Sequence, residues 1–474
     1  MIVLPMLVFA ASQQPAFRTI DRPFDVLETS PAGITALSET HDWHIELQDA
    51  TGALIADFPL GGGASVVLDL ERREVFAPGA DLRLGAGGKL DRPDIVLLGG
   101  EIAGEPGSLA FLAFGRDMTL GFVQSDGQQY VVSSGPVGEG LGTVVYNLSE
   151  VAGETIPLRE LACTVLDLPG TDAAAAAAHA PGAAARGEPP CRVVDVAVET
   201  DLELRTELFG GDAAAASDYV AALVGAVGEI YRRDLNVILN MSFLRIWDGS
   251  NDPWSGGDTV SQLFEFRDYW LSNETAVDRD LAHLLSGRAL GGGVAWLGVV
   301  CNPEFGFAVS ANLNGFFPYP LEDQNNQNWD VMVTAHEWGH NFGGPHTHEQ
   351  TPLANIDGCG LGDCSTLPGT IMSYCHLCGD GTGDVDLRFH PQNIGDYMLQ
   401  HLQFGAACSL TDNPICEGGD CAADVNEDGV ANGGDFFAWV NAFGTGAPPC
   451  DVNGDGSCSG SDFFAWVSAF GEGC

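Results

Sequence analysis

The fifteen residues from Thr334 to His348, TAHEWGHNFGGPHTH, hold four of the eleven histidines in a chain of 474 residues. His336 and His340 are four apart, a spacing that on a helix brings both imidazoles to one face, close enough to share one cation. Glu337 sits one step round. Gly343 suits a left-handed helix end that a Cβ would resist, after which the chain can turn and bring His346 back to the same point. Three neutral imidazole nitrogens with an open fourth position suit catalytic Zn2+, which lowers the pKa of a bound water to about 7. Glu337 would then take the proton and pass it to a leaving amine. A bare HExxH is only moderately specific, whereas the eleven-residue HExxHxxGxxH is a strong signal. His348 is read as a solvated group or as a support for a ligand rather than a ligand.

These side chains need a frame. Asp330 is read as the cap of a helix beginning VMVTAHEWGHNFG, inside a region from Cys191 to about Cys408 that mixes strands, as in CRVVDVAVETD, with helices such as SDYVAALVGAVGEIYRRD. That region predicts an α/β domain. Residues 17 to 160 instead carry short β-branched or aromatic runs (ASVVLDL, DIVLLGGEIAG, SLAFLAF, LGFVQ, QYVVSS) between Gly, Pro and Asp turns, the pattern of a β-rich domain. Between the two lies TDAAAAAAHAPGAAARGEPP, with too few large apolar groups to join a core; it reads as a linker and a site of proteolytic cutting. At the other end, DVNEDGVANGGDFFAWVNAFG at 424 and DVNGDGSCSGSDFFAWVSAFG at 451 repeat with a 27-residue period, which marks a small two-unit module. The expected organisation is multidomain: a leader at 1–12, a β-rich domain at 13–170, the linker at 171–190, the α/β domain at 191–412 and the repeat module at 413–474.

Composition narrows the partners. The chain has 65 acidic residues against 19 basic ones, a formal charge of −46, and Lys89 is its one lysine. Nucleic acid and anionic membranes both require a basic footprint and are excluded as partners. The apolar run MIVLPMLVFAA ends in small residues like a secretory leader, although the usual basic start is missing. No apolar run reaches the ~18 residues that span a bilayer, so no transmembrane segment is expected. Thirteen cysteines, crowded toward the C-terminus, fit an oxidising compartment. The expected location is extracellular, secreted or attached to a cell surface.

The segment HEWGHNFGGPH resembles the zinc signature of metzincin peptidases, and its HNFGxPH part is most similar to the reprolysin or adamalysin branch. The segment GTIMSYC, whose Met372 lies twenty-six residues beyond His346, resembles the Met-turn of that family, which implies that Met372 forms an apolar floor beneath the three histidines. The resemblance also implies an α+β catalytic domain with a twisted mixed sheet and an active-site helix. Tyr374 matches the place where astacin-like and serralysin-like members carry a tyrosine that approaches the metal or the oxyanion; the other reading is a buried structural hydroxyl. Thr347 departs from the Asp common among animal reprolysins. Upstream, GEIAGEPGSLAFLAFGRDMTLGFVQSDGQQYVVSSG resembles a reprolysin propeptide, which implies that the β-rich domain covers the cleft until removed. Cys163, the one cysteine before Cys191, either occupies the open zinc position in a zymogen, as the family's cysteine switch does, or is a structural cysteine. The family further suggests a Cys301–Cys408 pair. The CHLC stretch at 375–378 reads as disulfide-forming rather than zinc-binding.

In the repeats, Asp424, Asn426, Asp428 and Asp435 occupy positions 1, 3, 5 and 12 of a Ca2+ loop, and Asp451, Asn453, Asp455 and Asp462 do so in the second copy. One helix after each loop resembles dockerin type I repeats, and the FFAWV helices with the terminal Gly473-Cys474 are similar to dockerin-like tails of bacterial, notably planctomycete, exported proteins. That implies a cohesin-like or cell-surface partner, although Gly433, Gly434, Gly460 and Ser461 stand where dockerins carry recognition side chains. The repeat aromatics are either recognition groups or plain core. Two functions compete: a secreted zinc endopeptidase made as a zymogen, with a protein or peptide substrate, and an inactive adhesive or scaffold-bound protein on the same fold. The intact Glu337 favours the first.

Overall fold

The computed structural model describes residues 16–125, 127–155, 161–169, 190–249, 251–320, 328–349, 355–411, 425, 433–445, 450, 452 and 458–472. Two compact units emerge: residues 1–189 with 194–408, and residues 190–193 with 409–474.

The first unit contains two large sheets. Ten strands form the first, in the order Ala16–Ile20, Ala50–Gly61, Ala64–Arg72, Ile95–Ile102, Leu109–Gly115, Met118–Ser125, Gln128–Ser133, Val144–Asn147, Thr35–Glu39, Phe24–Thr29. These include all five runs singled out by alternation and β-branching. The sheet rolls on itself, so Phe24 on the last strand meets Phe58 on the second with ring centroids 5.9 Å apart, around a core that includes Leu68, Leu70, Leu112 and Phe114.

The second sheet has eight strands, in the order Ala162–Leu166, Gly292–Trp296, Phe307–Ser310, Leu281–Leu285, Arg192–Thr200, Val237–Ile246, Phe76–Leu84, Gly88–Lys89. It is mixed: Gly292–Trp296 runs antiparallel to Phe307–Ser310 but parallel to Ala162–Leu166. Its inner strands are buried nearly throughout, as strands covered on both faces must be. Three of its strands, Phe76–Leu84, Gly88–Lys89 and Ala162–Leu166, come from the region that sequence patterning assigned to a separate β-rich domain. Pairing partners that lie far along the chain leave no local trace, and so this allocation was invisible to periodicity.

Helix Ala213–Leu235 begins at Asp212, whose carboxylate accepts from the amides of Ala214 and Ala215, and ends at Asn236 in the left-handed region with φ 52°. It is the one described helix long and apolar enough to cross a membrane, yet 72% of its apolar window is buried in this unit, as befits a core helix. Its Tyr231 hydroxyl donates to Ala335 O at 2.9 Å and so docks it on helix Asp330–Asn341. Asp330 is not the cap of that helix but its first residue. Its buried carboxylate instead accepts from Tyr219 Oη at 2.6 Å and from the amides of Asn314 and Gly315, which pins the helix start to the loop before it.

Cys301 is bonded to Cys408, Cys359 to Cys375 and Cys364 to Cys378, so both cysteines of CHLC are in disulfides.

In the second unit, helices Gly433–Thr445 and Gly460–Glu472 bury Trp439, Ala442, Cys450 and Trp466, with Phe436 and Phe463 packed against them. Those aromatics are core; Phe464, by contrast, is 71% exposed and lies outside it. The calcium-loop residues Asp424, Asn426, Asp428, Asp451, Asn453 and Asp455 lie outside the described residues, as do the side chain of Asp435, the leader and residues 171–189. Asp462 is described and buried, and it accepts from Ser459 N at 2.7 Å.

Candidate metal centre and active site

Helix Asp330–Asn341 is buried along its whole length, so its side chains are held in single positions before any ligand arrives. His336 and His340 project from one face; the helix stops at Phe342, Gly343 takes φ 94°, and the chain returns with His346. Ring centroids of the three histidines lie 4.5 to 5.2 Å apart. Met372 is fully buried beneath the helix at Gly339, where an added Cβ would come within 2.5 Å of its sulfur. Only a glycine between the two helical histidines admits that floor.

The hydrogen bonds of the outer ring nitrogens decide what the inner ones can do. His336 Nδ1 is 2.6 Å from Ile371 O, His340 Nδ1 is 2.8 Å from Gly344 O, and His346 Nδ1 is 2.9 Å from Glu349 Oε1. Carbonyl and carboxylate oxygens only accept, so each Nδ1 carries its ring's proton and donates. Burial lowers the pKa of His336 and His340 well below the usual value, which keeps these rings neutral. The Nε2 lone pairs are thereby left facing inward. His336 Nε2 is buried without a hydrogen-bond partner, and the Nε2 atoms of His340 and His346 stand 3.1 Å apart. Lone pairs aimed at one another in this way repel, and a cation between them removes the repulsion. Three imidazoles with locked tautomers and ligand atoms mutually within 4.8 Å fit Zn2+.

Glu337 is completely buried beside these rings, and burial raises its carboxyl pKa well above the usual value. Space for it exists because the facing residue on strand Gly292–Trp296 is Gly293, where an added Cβ would lie 2.6 Å from Glu337 Cδ.

Strand Ala162–Leu166 lies along Gly292–Trp296 with Cys163 opposite Gly293. This brings the buried, free thiol of Cys163 within 4.8 Å of both Glu337 and His336, a grouping that does not take in His340 or His346. Burial, then the nearby Glu337 carboxylate, push the thiol pKa up, so it is a neutral S–H. Tyr374 Oη donates to Cys163 O, and His376 Nε2 lies 3.0 Å from Leu161 O. The Tyr374 ring is centred 4.7 Å from that of His346. Burial raises its pKa, and the phenol stays a donor. His348, half-buried, stacks on His346 at 5.2 Å without joining the three-histidine group.

Two supports escaped the sequence reading. Glu349 orients His346, and the His-x-x-Glu spacing after the third histidine was the available signal. Thr347, noted only as a departure from a family pattern, ties the segment to the Met372 turn through its amide at 3.0 Å and its hydroxyl at 3.2 Å from Met372 O.

Residues 191–380 match the model of Reprolysin_5, Metallo-peptidase family M12, a span that contains every histidine of the site, Glu337, Met372 and Tyr374. This match supports a zinc protease. Among solved structures, the chain is similar to metalloproteinase-II from Bacteroides fragilis, with 11% identity and a TM-score of 0.41 over 82% of this chain and 99% of that one.

Proposed function

We propose that this protein is a secreted zinc endopeptidase, made as a latent zymogen, that hydrolyses peptide bonds in protein substrates. The observation that carries the reading is the set of three buried imidazoles whose Nδ1 donors are all engaged and whose Nε2 lone pairs converge beside a buried glutamate. His336, His340 and His346 would hold the metal. Zinc, when bound, supplies a Lewis acid that polarises the scissile carbonyl and acidifies water.

The protein's own groups divide the remaining work. Glu337 takes a proton from the attacking water and delivers it to the leaving nitrogen, and its dry setting, which favours the protonated carboxyl, suits the delivery step. Tyr374 already donates to a peptide carbonyl of the strand lying in the cleft. The same donor aimed at a substrate carbonyl would stabilise negative charge as it develops there. Strand Gly292–Trp296 holds an extended chain by main-chain pairing, as it holds Ala162–Leu166 here. Because that strand fills the position a substrate would take, and Cys163 sits against Glu337 and His336, the uncut chain is latent. The repeat module binds Ca2+ and attaches the enzyme to a cohesin-like or cell-surface partner.

The test uses protein cut in the 171–189 segment and an unstructured protein as substrate. Glu337→Gln should abolish cleavage while one zinc per chain stays bound, and His346→Ala should lose both. Substantial turnover in Glu337→Gln would remove it as the base, and a zinc-loaded cut protein that cleaves nothing would sink the peptidase reading.

A further inference from the structure

The N-terminal region touches the catalytic sheet at two opposite edges, and the two attachments differ in kind. At one edge, Ala162–Leu166 lies over the site. At the other, Phe76–Leu84 adds in parallel to Val237–Ile246, with Phe243 opposite Asp81, Leu244 opposite Leu82, Arg245 opposite Arg83 and Ile246 opposite Leu84. Val237–Ile246 is buried at all but two of its ten positions, the pattern of an inner strand. Without Phe76–Leu84 it would become a long apolar edge, which natural sheets avoid.

Ion pairs reinforce this second attachment. Arg73 Nε meets Glu229 Oε1 at 2.7 Å, with the two side chains 13% and 4% exposed, and Arg83 Nη1 meets Glu274 Oε2 at 2.8 Å. Glu274 also pairs with Arg245, which bonds Glu199 in the sheet interior, so Arg83 is one end of a buried network. The ten-stranded sheet packs on helix Ala213–Leu235 so closely that a Cβ at Gly225 would lie 3.0 Å from the Phe111 ring. None of these contacts involves the covering strand. No disulfide does this work either, since Cys163 is the one cysteine before Cys191 and it is free.

We infer that the N-terminal region is a lasting subunit of the active enzyme as well as its inhibitor, so that cutting in the 171–189 segment yields two chains that stay together. Activation then consists of releasing one strand. Before the cut, Ala162–Leu166 is tethered at both ends; afterwards it is the frayed end of its fragment, held by five residues of pairing and by the Tyr374 and His376 contacts to Cys163 O and Leu161 O, and a substrate at sufficient concentration displaces it. The inference rests on the proposed latency, but its main readout does not depend on activity.

A recognition site for an added sequence-specific protease, placed between residues 171 and 189, provides the test. After cutting, gel filtration at micromolar protein should show both fragments in one peak at the position of the uncut 49.8 kDa chain. Labelling of Cys163 by a thiol reagent, read by peptide mass spectrometry, should rise at least tenfold over the uncut protein while the fragments still co-migrate. In the cut protein carrying Arg73→Ala with Arg83→Ala, the fragments should separate on dilution that leaves the parent paired. Migration of the N-terminal fragment as a separate species in the parent protein would overturn the inference, and unchanged Cys163 labelling in a persistent complex would overturn the one-strand release. A complex that persists, exposes Cys163 and yet cleaves no protein would leave the inference standing while refuting the peptidase reading.

Discussion

Gly293→Ala is the sharpest probe of the catalytic geometry, because it adds one methyl group at a point where the structure has no room. The new Cβ would lie 2.6 Å from Cδ and 2.8 Å from Cγ of Glu337. Ordinary contact between such atoms needs roughly 3.5 Å or more, so the carboxylate and the strand must separate by about 1 Å. Neither has slack, since Glu337 is fully buried on a fully buried helix and Gly293 is paired to Ser310 on strand Phe307–Ser310, a pairing that cutting leaves in place. A displacement of about 1 Å in a reacting group costs on the order of 100-fold in rate. The expected result is therefore a fall of about 100-fold in kcat/KM with cut enzyme on a quenched fluorescent peptide. Zinc stoichiometry should be unchanged, because the atoms nearest the new methyl all belong to Glu337 and none to a histidine. Full activity in Gly293→Ala would mean that Glu337 does not act from the position described, and loss of zinc would mean that the helix carrying His336 and His340 had moved together with the carboxylate.

Glu349→Ala should weaken zinc binding by about 10- to 100-fold in a chelator competition, since it removes the acceptor that fixes the His346 tautomer, and Glu349→Gln should restore most of it; equal affinity in all three proteins would make the contact incidental. The fragment 416–474, with its disulfides intact, should gain helicity and thermal stability when calcium is added, and Asp424→Ala with Asp451→Ala should lose that response. A fragment equally folded in chelator would reduce the acidic loops to solvated surface.

The gathering of the three histidines was legible because its geometry is local. Four-residue spacing on a helix, a glycine at the turn and a third histidine close behind are all contained in eleven consecutive residues, and little of the surrounding fold is needed to gather them. The five strand runs of the N-terminal sheet were legible for the same reason. What the sequence concealed is non-local. Nothing in FAPGADLRL announces a partner in VILNMSFLRI, because parallel pairing is decided by main-chain bonds that any residues can make. Asp330 misled in a simpler way: an acidic residue at a helix start usually caps it, whereas here Tyr219, Asn314 and Gly315 claim the carboxylate first. Cys163 stands between two readings in the sequence, and its place opposite Gly293 was not legible there, since the register that aims the thiol is a property of two segments and is written in neither.

The pairing of Ala162–Leu166 with Gly292–Trp296 has a consequence for what can be digested. Five consecutive residues are gripped by their backbone, with an outer bond from Leu297 N to Leu166 O at 3.0 Å closing the far end. A guest that takes this berth must surrender a comparable length of its own main chain, already straightened and relieved of helix or sheet partners. Compact proteins offer such a length only during brief local openings, whose frequency is set by their own stability. If substrate takes this berth as proposed, targets are sorted by how often they come undone at their surface, before any side chain is inspected.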